Sequence, residues 1–196
     1  MGRVRSCQRG QGHREMRLMI CGVVACLSCS LLSGCAIGGS GWQNKLATSV
    51  ELFGHRNWIL IADWAYPCQS RAGIETVATG AGQIEVVKAA LKAVDEAPHV
   101  RAIVYIDAEQ QYVKEEDAPG IDAYRAELKA LLGDRAVKTL PHEELIAKLD
   151  EAAKTFNLLI LKTDMTLPYT SVFLELDCGY WSGEAEQRLR QMMQQK

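Results

Sequence analysis

The run Trp58-Ile59-Leu60-Ile61-Ala62 constrains this chain more than any other stretch. Five consecutive apolar residues predict a short buried strand over residues 57–62. Gly54 can end a preceding helix, and Pro67 forbids both helix and central strand, so the chain must turn there. Asp63 stands where the strand stops. In an open α/β sheet, ligands bind outside the carboxyl ends of the strands, which makes Asp63 a candidate binding residue. His55 lies at the other end of the same strand. Eight residues of extended chain cover roughly 25 Å, so His55 and Asp63 cannot touch. They share a site only if a loop folds back or a second subunit contributes.

The rest of the chain alternates. A helix is predicted over 43–53, a strand over Ile74–Thr79, and a helix over 82–96 with Ile84, Val87, Leu91 and Val94 on one stripe. Arg101–Ile106 reads as a strand that ends in Asp107. Ile121, Tyr124, Leu128 and Leu131 mark the next helix, and Glu115-Glu116-Asp117 before it reads as a solvated acidic face. Val137–Leu140 is a short strand, His142–Phe156 a helix, and Leu158–Lys162 and Ser171–Leu176 the closing strands. Such alternation predicts an α/β fold: one three-layer domain over 43–196 with a mixed, mostly parallel central sheet.

Residues 1–35 read differently. Arg3, Arg5, Arg9, Arg14 and Arg17 face the single acid Glu15, and Leu18 to Cys35 contains no charge. A basic region followed by an apolar one is the layout of a secretory signal. It ends Leu32-Ser33-Gly34-Cys35, which resembles the bacterial lipoprotein cleavage box and predicts lipidation at Cys35, with the cell envelope as destination and the lipid as membrane anchor. An uncleaved anchor is the alternative, since the run is just long enough to span a bilayer. Residues 36–42, rich in glycine, read as a flexible tether. Of the 22 basic and 24 acidic side chains, 17 and 23 remain once the five leader arginines and Glu15 are removed, a balance of −6 that argues against nucleic acid as a partner. Cys68 and Cys178 stay in the domain, where they either pair in an oxidising compartment or remain as free thiols. Neither has a second ligand at metal spacing, so no metal site is expected.

Gly54-His55, an apolar strand, Asp63 eight residues after the histidine and Pro67 four after that resemble the ribose pyranase and fucose mutarotase family. Pro141-His142-Glu143-Glu144 at the start of a helix and Pro168-Tyr169-Thr170-Ser171 before the last strand strengthen the resemblance, which runs over about residues 43–181. It implies a ribose-pyranase-like fold and a monosaccharide mutarotase or pyranase that works by general acid–base catalysis without a cofactor. It also implies His55 as the catalytic histidine, and Asp63, His142, Tyr169 and Ser171 as sugar-binding positions. Ser171 replaces the family's usual asparagine, and Trp64 and Tyr66 replace small or aliphatic residues. In this family a neighbouring subunit completes the pocket, which implies a homo-oligomer, possibly a ring.

Two other readings compete. Gly80-Ala81-Gly82, between a strand and a helix, followed by a strand that ends at Asp107, supplies most of a dinucleotide fingerprint. Glu85 occupies the third small position, where its carboxylate would repel a pyrophosphate. The other alternative is a non-catalytic, envelope-tethered sugar-binding lipoprotein that kept the fold and lost turnover.

Overall fold

A computed structural model describes residues 41–195. The predicted leader, the lipidation position Cys35 and tether residues 36–40 lie outside the described residues. The described residues form five α-helices and one six-stranded sheet: α1 (Gly41–Leu52), β1 (Trp58–Ala62), β2 (Ile74–Ala78), α2 (Gln83–Asp95), β3 (Val100–Asp107), α3 (Ile121–Leu132), β4 (Val137–Leu140), α4 (His142–Ala152), β5 (Leu158–Lys162), β6 (Val172–Cys178) and α5 (Gly183–Gln194). A 3-10 turn, Ala108–Tyr112, continues directly from β3. The helix expected to begin at 43 begins at Gly41. Trp42, assigned to the tether, is buried at the start of α1 because its indole joins the core with Leu46 and Val50.

The strand order is β2-β5-β1-β6-β3-β4. Strand β1 is parallel to β5 and antiparallel to β6, while β3 is antiparallel to β6 and parallel to β4. Five strands therefore share a direction and β6 alone opposes them. The reason is local. Parallel neighbours need a long crossover, usually through a helix, and every other strand has a helix or long connection before it. The segment from Thr163 to Ser171 contains no helix and feeds β6 back into the sheet from the edge at which β5 ended.

Strand β1 is fully buried, as its sequence predicts. Period-two geometry then divides its side chains between two cores. Ile59 and Ile61 join Leu159, Leu161, Val172 and Leu174 under α1, α2 and α3. Trp58, Leu60 and Ala62 join Leu158, Ile160 and Phe173 under α4. The sheet is thus covered on both faces, by three helices on one and one on the other. On the thinner face Trp58 stacks on Tyr105 at 5.6 Å, and Lys138 and Lys148 lie over the Tyr105 ring. The Tyr105 hydroxyl donates to Glu175 at 2.7 Å.

Topology places the function. The carboxyl ends of β1, β2, β3, β4 and β5 and the amino end of β6 fall on one edge of the sheet. Asp63, Asp107, His142, Asp164 and Tyr169 all follow or precede strands there, the location at which open α/β sheets bind ligands. The same topology weighs against the dinucleotide reading. That fingerprint needs its first two strands adjacent, whereas β2 is an edge strand and β5, β1 and β6 separate it from β3.

Cys68 and Cys178 are both free, the second of the two expected alternatives and not the disulfide, and Cys68 is exposed. Cys68 lies in the loop after β1, at the carboxyl edge. Cys178 pairs in register with Val100 at the amino end of β3, on the opposite edge. The length of the sheet keeps the two thiols apart.

Candidate functional site

His142 is the first residue of α4, immediately after Pro141. Proline suits the start of a helix because it fixes φ and has no N–H to satisfy. Pro141 has no side chain with which to cap the exposed amides, and the cap comes from another element. Both carboxylate oxygens of Glu109 accept the His142 backbone N–H at 3.0 Å. Two residues earlier, Asp107 Oδ1 lies 3.0 Å from His142 Nδ1. The two residues meet because β3 and β4 are parallel neighbours with Asp107 opposite Leu140, and His142 follows Leu140 by two residues.

The Asp107 side chain has no solvent exposure, whereas that of His142 is 31 % exposed. Burial pushes the Asp107 carboxyl above the usual carboxylate range. The His142 hydrogen bond and charge oppose that shift, and Glu109 and Asp63 add to it. Asp107 Oδ2 is buried and receives no hydrogen bond from any of the described residues. A carboxylate in that condition costs stability, which marks it as a functional candidate.

Tyr169 completes the group. Its ring meets His142 edge to face, with centroids 5.7 Å apart. The backbone of Tyr169 has φ 56°, a left-handed conformation that aromatic residues seldom adopt. Neighbouring bonds hold it there. Gln110 Nε2 donates to the Tyr169 carbonyl at 3.0 Å. The Tyr124 hydroxyl and Gln83 Nε2 donate to the Thr170 carbonyl at 2.6 and 2.8 Å.

Asp63, Tyr66, Gln69, His142, Glu143 and Asp150 line a cleft of about 520 Å³, a size suited to a small ligand. Asp63 Oδ1 accepts the Ala65 N–H at 2.8 Å, which forms the Asx turn that brings the chain round to Pro67. Tyr66 is buried beside it, and Gln69 Nε2 donates to its hydroxyl at 3.0 Å. Burial, with the negative charge of Asp150 next in importance, pushes the Tyr66 phenol up to about 12, so it stays protonated at working pH. Trp64 faces elsewhere. It is 63 % exposed and borders a separate cleft of about 230 Å³ with Lys162 and Asp164. Among the described residues, no three His, Cys, Asp or Glu side chains converge as a metal site.

The structure therefore brings Asp63, His142 and Tyr169 to one edge. Ser171 is only 1 % exposed and offers little surface to a ligand within this chain. His55 stands at the opposite edge, exposed, near Asp177 at the far end of β6. Sequence reasoning gave Asp107 only to a nucleotide fingerprint and overlooked Glu109. The available signal was an acid at the carboxyl end of a strand.

The profile of the RbsD / FucU transport protein family matches residues 42–178, most of the chain. The chain belongs to that family. Among solved structures, it is similar to Bacillus subtilis RbsD complexed with D-ribose, with 21% identity over 68% of this chain and 91% of that one and a TM-score of 0.46. The fucose mutarotase from Streptococcus pneumoniae in complex with L-fucose gives 19% identity, 68% and 91% coverage and a TM-score of 0.46. FucU from Bifidobacterium longum gives 20% identity, 68% and 92% coverage and the same score. No curated protein sequence matches the chain. The family match ends at Cys178, so α5 lies beyond it.

Proposed function

We propose that this protein is a monosaccharide mutarotase or pyranase that interconverts the anomers or ring forms of an aldose. The observation behind the reading is the meeting of Asp63 and His142 on one cleft, with Tyr169 packed against the His142 ring, at the carboxyl edge of an RbsD / FucU family fold. The chemistry needs few groups. One group takes the proton from the anomeric hydroxyl while another protonates the ring oxygen. The bond from the anomeric carbon to the ring oxygen breaks and a carbonyl forms. The open chain rotates and closes in the reverse sense. No electrons leave or enter the sugar. Histidine suits such proton exchange near neutral pH.

In this reading His55 is the catalytic proton-transfer group, supplied by a neighbouring copy of the chain, and Asp63 holds a sugar hydroxyl. A head-to-tail ring follows, because His55 and the cleft lie on opposite edges of the sheet. The test is exchange NMR of the full chain against ribose, fucose and other aldoses. An isomerase speeds exchange between anomers. A chain that contacts sugars without exchanging any of them is the tethered binding protein instead, and the isomerase reading falls.

The reading includes export and lipidation at Cys35, motivated by the basic stretch, the uncharged run and the ending Leu32-Ser33-Gly34-Cys35. Mass spectrometry of membrane-fraction protein is expected to find acylated Cys35 as the first residue. A product that keeps its leader in the soluble fraction sinks that part.

A further inference from the structure

We infer that Asp107 is a positioning residue: it holds His142 as the tautomer protonated on Nδ1 and leaves Nε2 as the atom that exchanges a proton with the sugar. The inference deepens the isomerase reading and rests on it for the identity of the substrate. It gives His142 an active part in proton transfer beside that of His55.

The argument begins with what each atom can do. An ionised carboxylate only accepts, so the 3.0 Å bond between Asp107 Oδ1 and His142 Nδ1 requires the proton to sit on Nδ1. No protein group among the described residues bonds Nε2, and the ring belongs to the cleft that holds Asp63. The ring is fixed by more than this bond. Glu109 holds the His142 backbone through the same stretch of chain, and Tyr169 packs edge-on against the imidazole. Gln110, one residue after Glu109, holds the carbonyl of Tyr169. The four residues Asp107–Gln110 thus set the position of both aromatic groups. A histidine that served only to contact sugar would need no buried acid behind it. The Asp107 side chain has no exposure, and its second oxygen has no partner among the described residues. Packing alone would favour a neutral residue in such a place.

Asparagine at position 107 separates the alternatives. Its amide can keep its oxygen on Nδ1–H, which leaves two buried donors at the unpartnered oxygen's position. Turned over, it donates one N–H to Nδ1 and leaves one N–H and one buried acceptor unsatisfied, against two unsatisfied N–H groups in the first arrangement. Unpaired buried N–H groups are the rarer and costlier condition, so the second arrangement is favoured. It forces the His142 proton onto Nε2. The surrounding groups that bear on this ring are Glu109 from the 3-10 turn, Asp63 from the loop after β1, Glu143 from α4 and Tyr169 before β6, and the substitution leaves all of them in place.

The chain has four histidines, few enough to assign one by one in a ¹⁵N-histidine-labelled sample of the full chain. In the parent protein, neutral His142 is expected to show a pyrrole-type shift on Nδ1 and a pyridine-type shift on Nε2. In Asp107→Asn the two are expected to exchange places, and the anomer-exchange kcat to fall by about 10²–10⁴-fold with a smaller change in KM. A parent protein whose neutral His142 carries its proton on Nε2 overturns the inference without any variant. So does an Asp107→Asn protein with an unchanged tautomer, or one with the tautomer exchanged but kcat within twofold of the parent. If no aldose is exchanged even by the parent, the isomerase reading fails, and the nitrogen shifts still decide whether Asp107 sets the tautomer.

Discussion

His55→Ala is expected to slow anomer exchange by about 10²–10⁴-fold, the usual contribution of one general acid–base group, while the fold is retained. Both halves of that expectation come from the place of the side chain. The turn that carries His55 is fixed by its neighbours. Asn57 Oδ1 accepts the Gly54 N–H at 3.0 Å, and Asn57 Nδ2 donates to the Asn157 carbonyl at 3.1 Å. The Arg56 N–H donates to the Leu176 carbonyl at 2.7 Å, with Arg56 itself at φ 75° and its guanidinium over the Phe156 ring. His55 is exposed and packs into neither core. Its remaining structural role is to sit just past the carboxyl end of α1, where a protonated histidine stabilises a helix by about 0.3–1 kcal/mol at most. Thermal melting beside the NMR assay separates the two roles. Loss of exchange with a melting temperature unchanged within a few degrees supports catalysis. A variant that melts lower and still exchanges sugar leaves His55 as a helix-end residue and removes it from the mechanism.

The sequence made the elements legible wherever burial was strong. β1 is apolar along its whole length because it lies near the middle of a sheet covered on both faces. Its limits were therefore readable to within a residue. The stripes of α2 and α3 were readable for the same reason, though in α3 Leu132 takes the buried place expected of Leu131. α5 gave no such signal. None of its residues is buried, and Leu189, Met192 and Met193 remain exposed on a helix otherwise rich in charge and glutamine. Strand order was not legible either, since the insertion of β6 between β1 and β3 depends on pairings far apart in sequence. That missing order hid the Asp107–His142 pair. The two residues stand 35 apart, and only the parallel pairing of β3 with β4 brings them together. Ser171 illustrates the converse. It directly precedes β6, a strand buried from its first position, and is itself covered within this chain, a burial that its place in the motif did not foretell.

Mixing two inactive variants is expected to restore activity. His55 precedes β1 and His142 follows β4, so the two stand on opposite edges of one sheet, separated by the length of its strands, and no described segment folds back to join them. A site that uses both must draw them from different copies. The contact then joins two unlike surfaces, the amino edge of one copy and the carboxyl edge of the next, and such head-to-tail contacts close as rings when the rotation allows. In co-assembled His55→Ala and His142→Ala chains, an interface is intact only where the first type presents its cleft to His55 of the second. Random assembly makes about one interface in four intact, so a co-expressed mixture is expected to recover about a quarter of the parental exchange rate. Each variant alone stays lower by the factor expected for a lost acid–base group. A purely intramolecular site predicts no recovery, because every chain in the mixture lacks one histidine. Sedimentation of the same mixture is the control: recovery without an oligomer, or an oligomer without recovery, defeats the shared pocket.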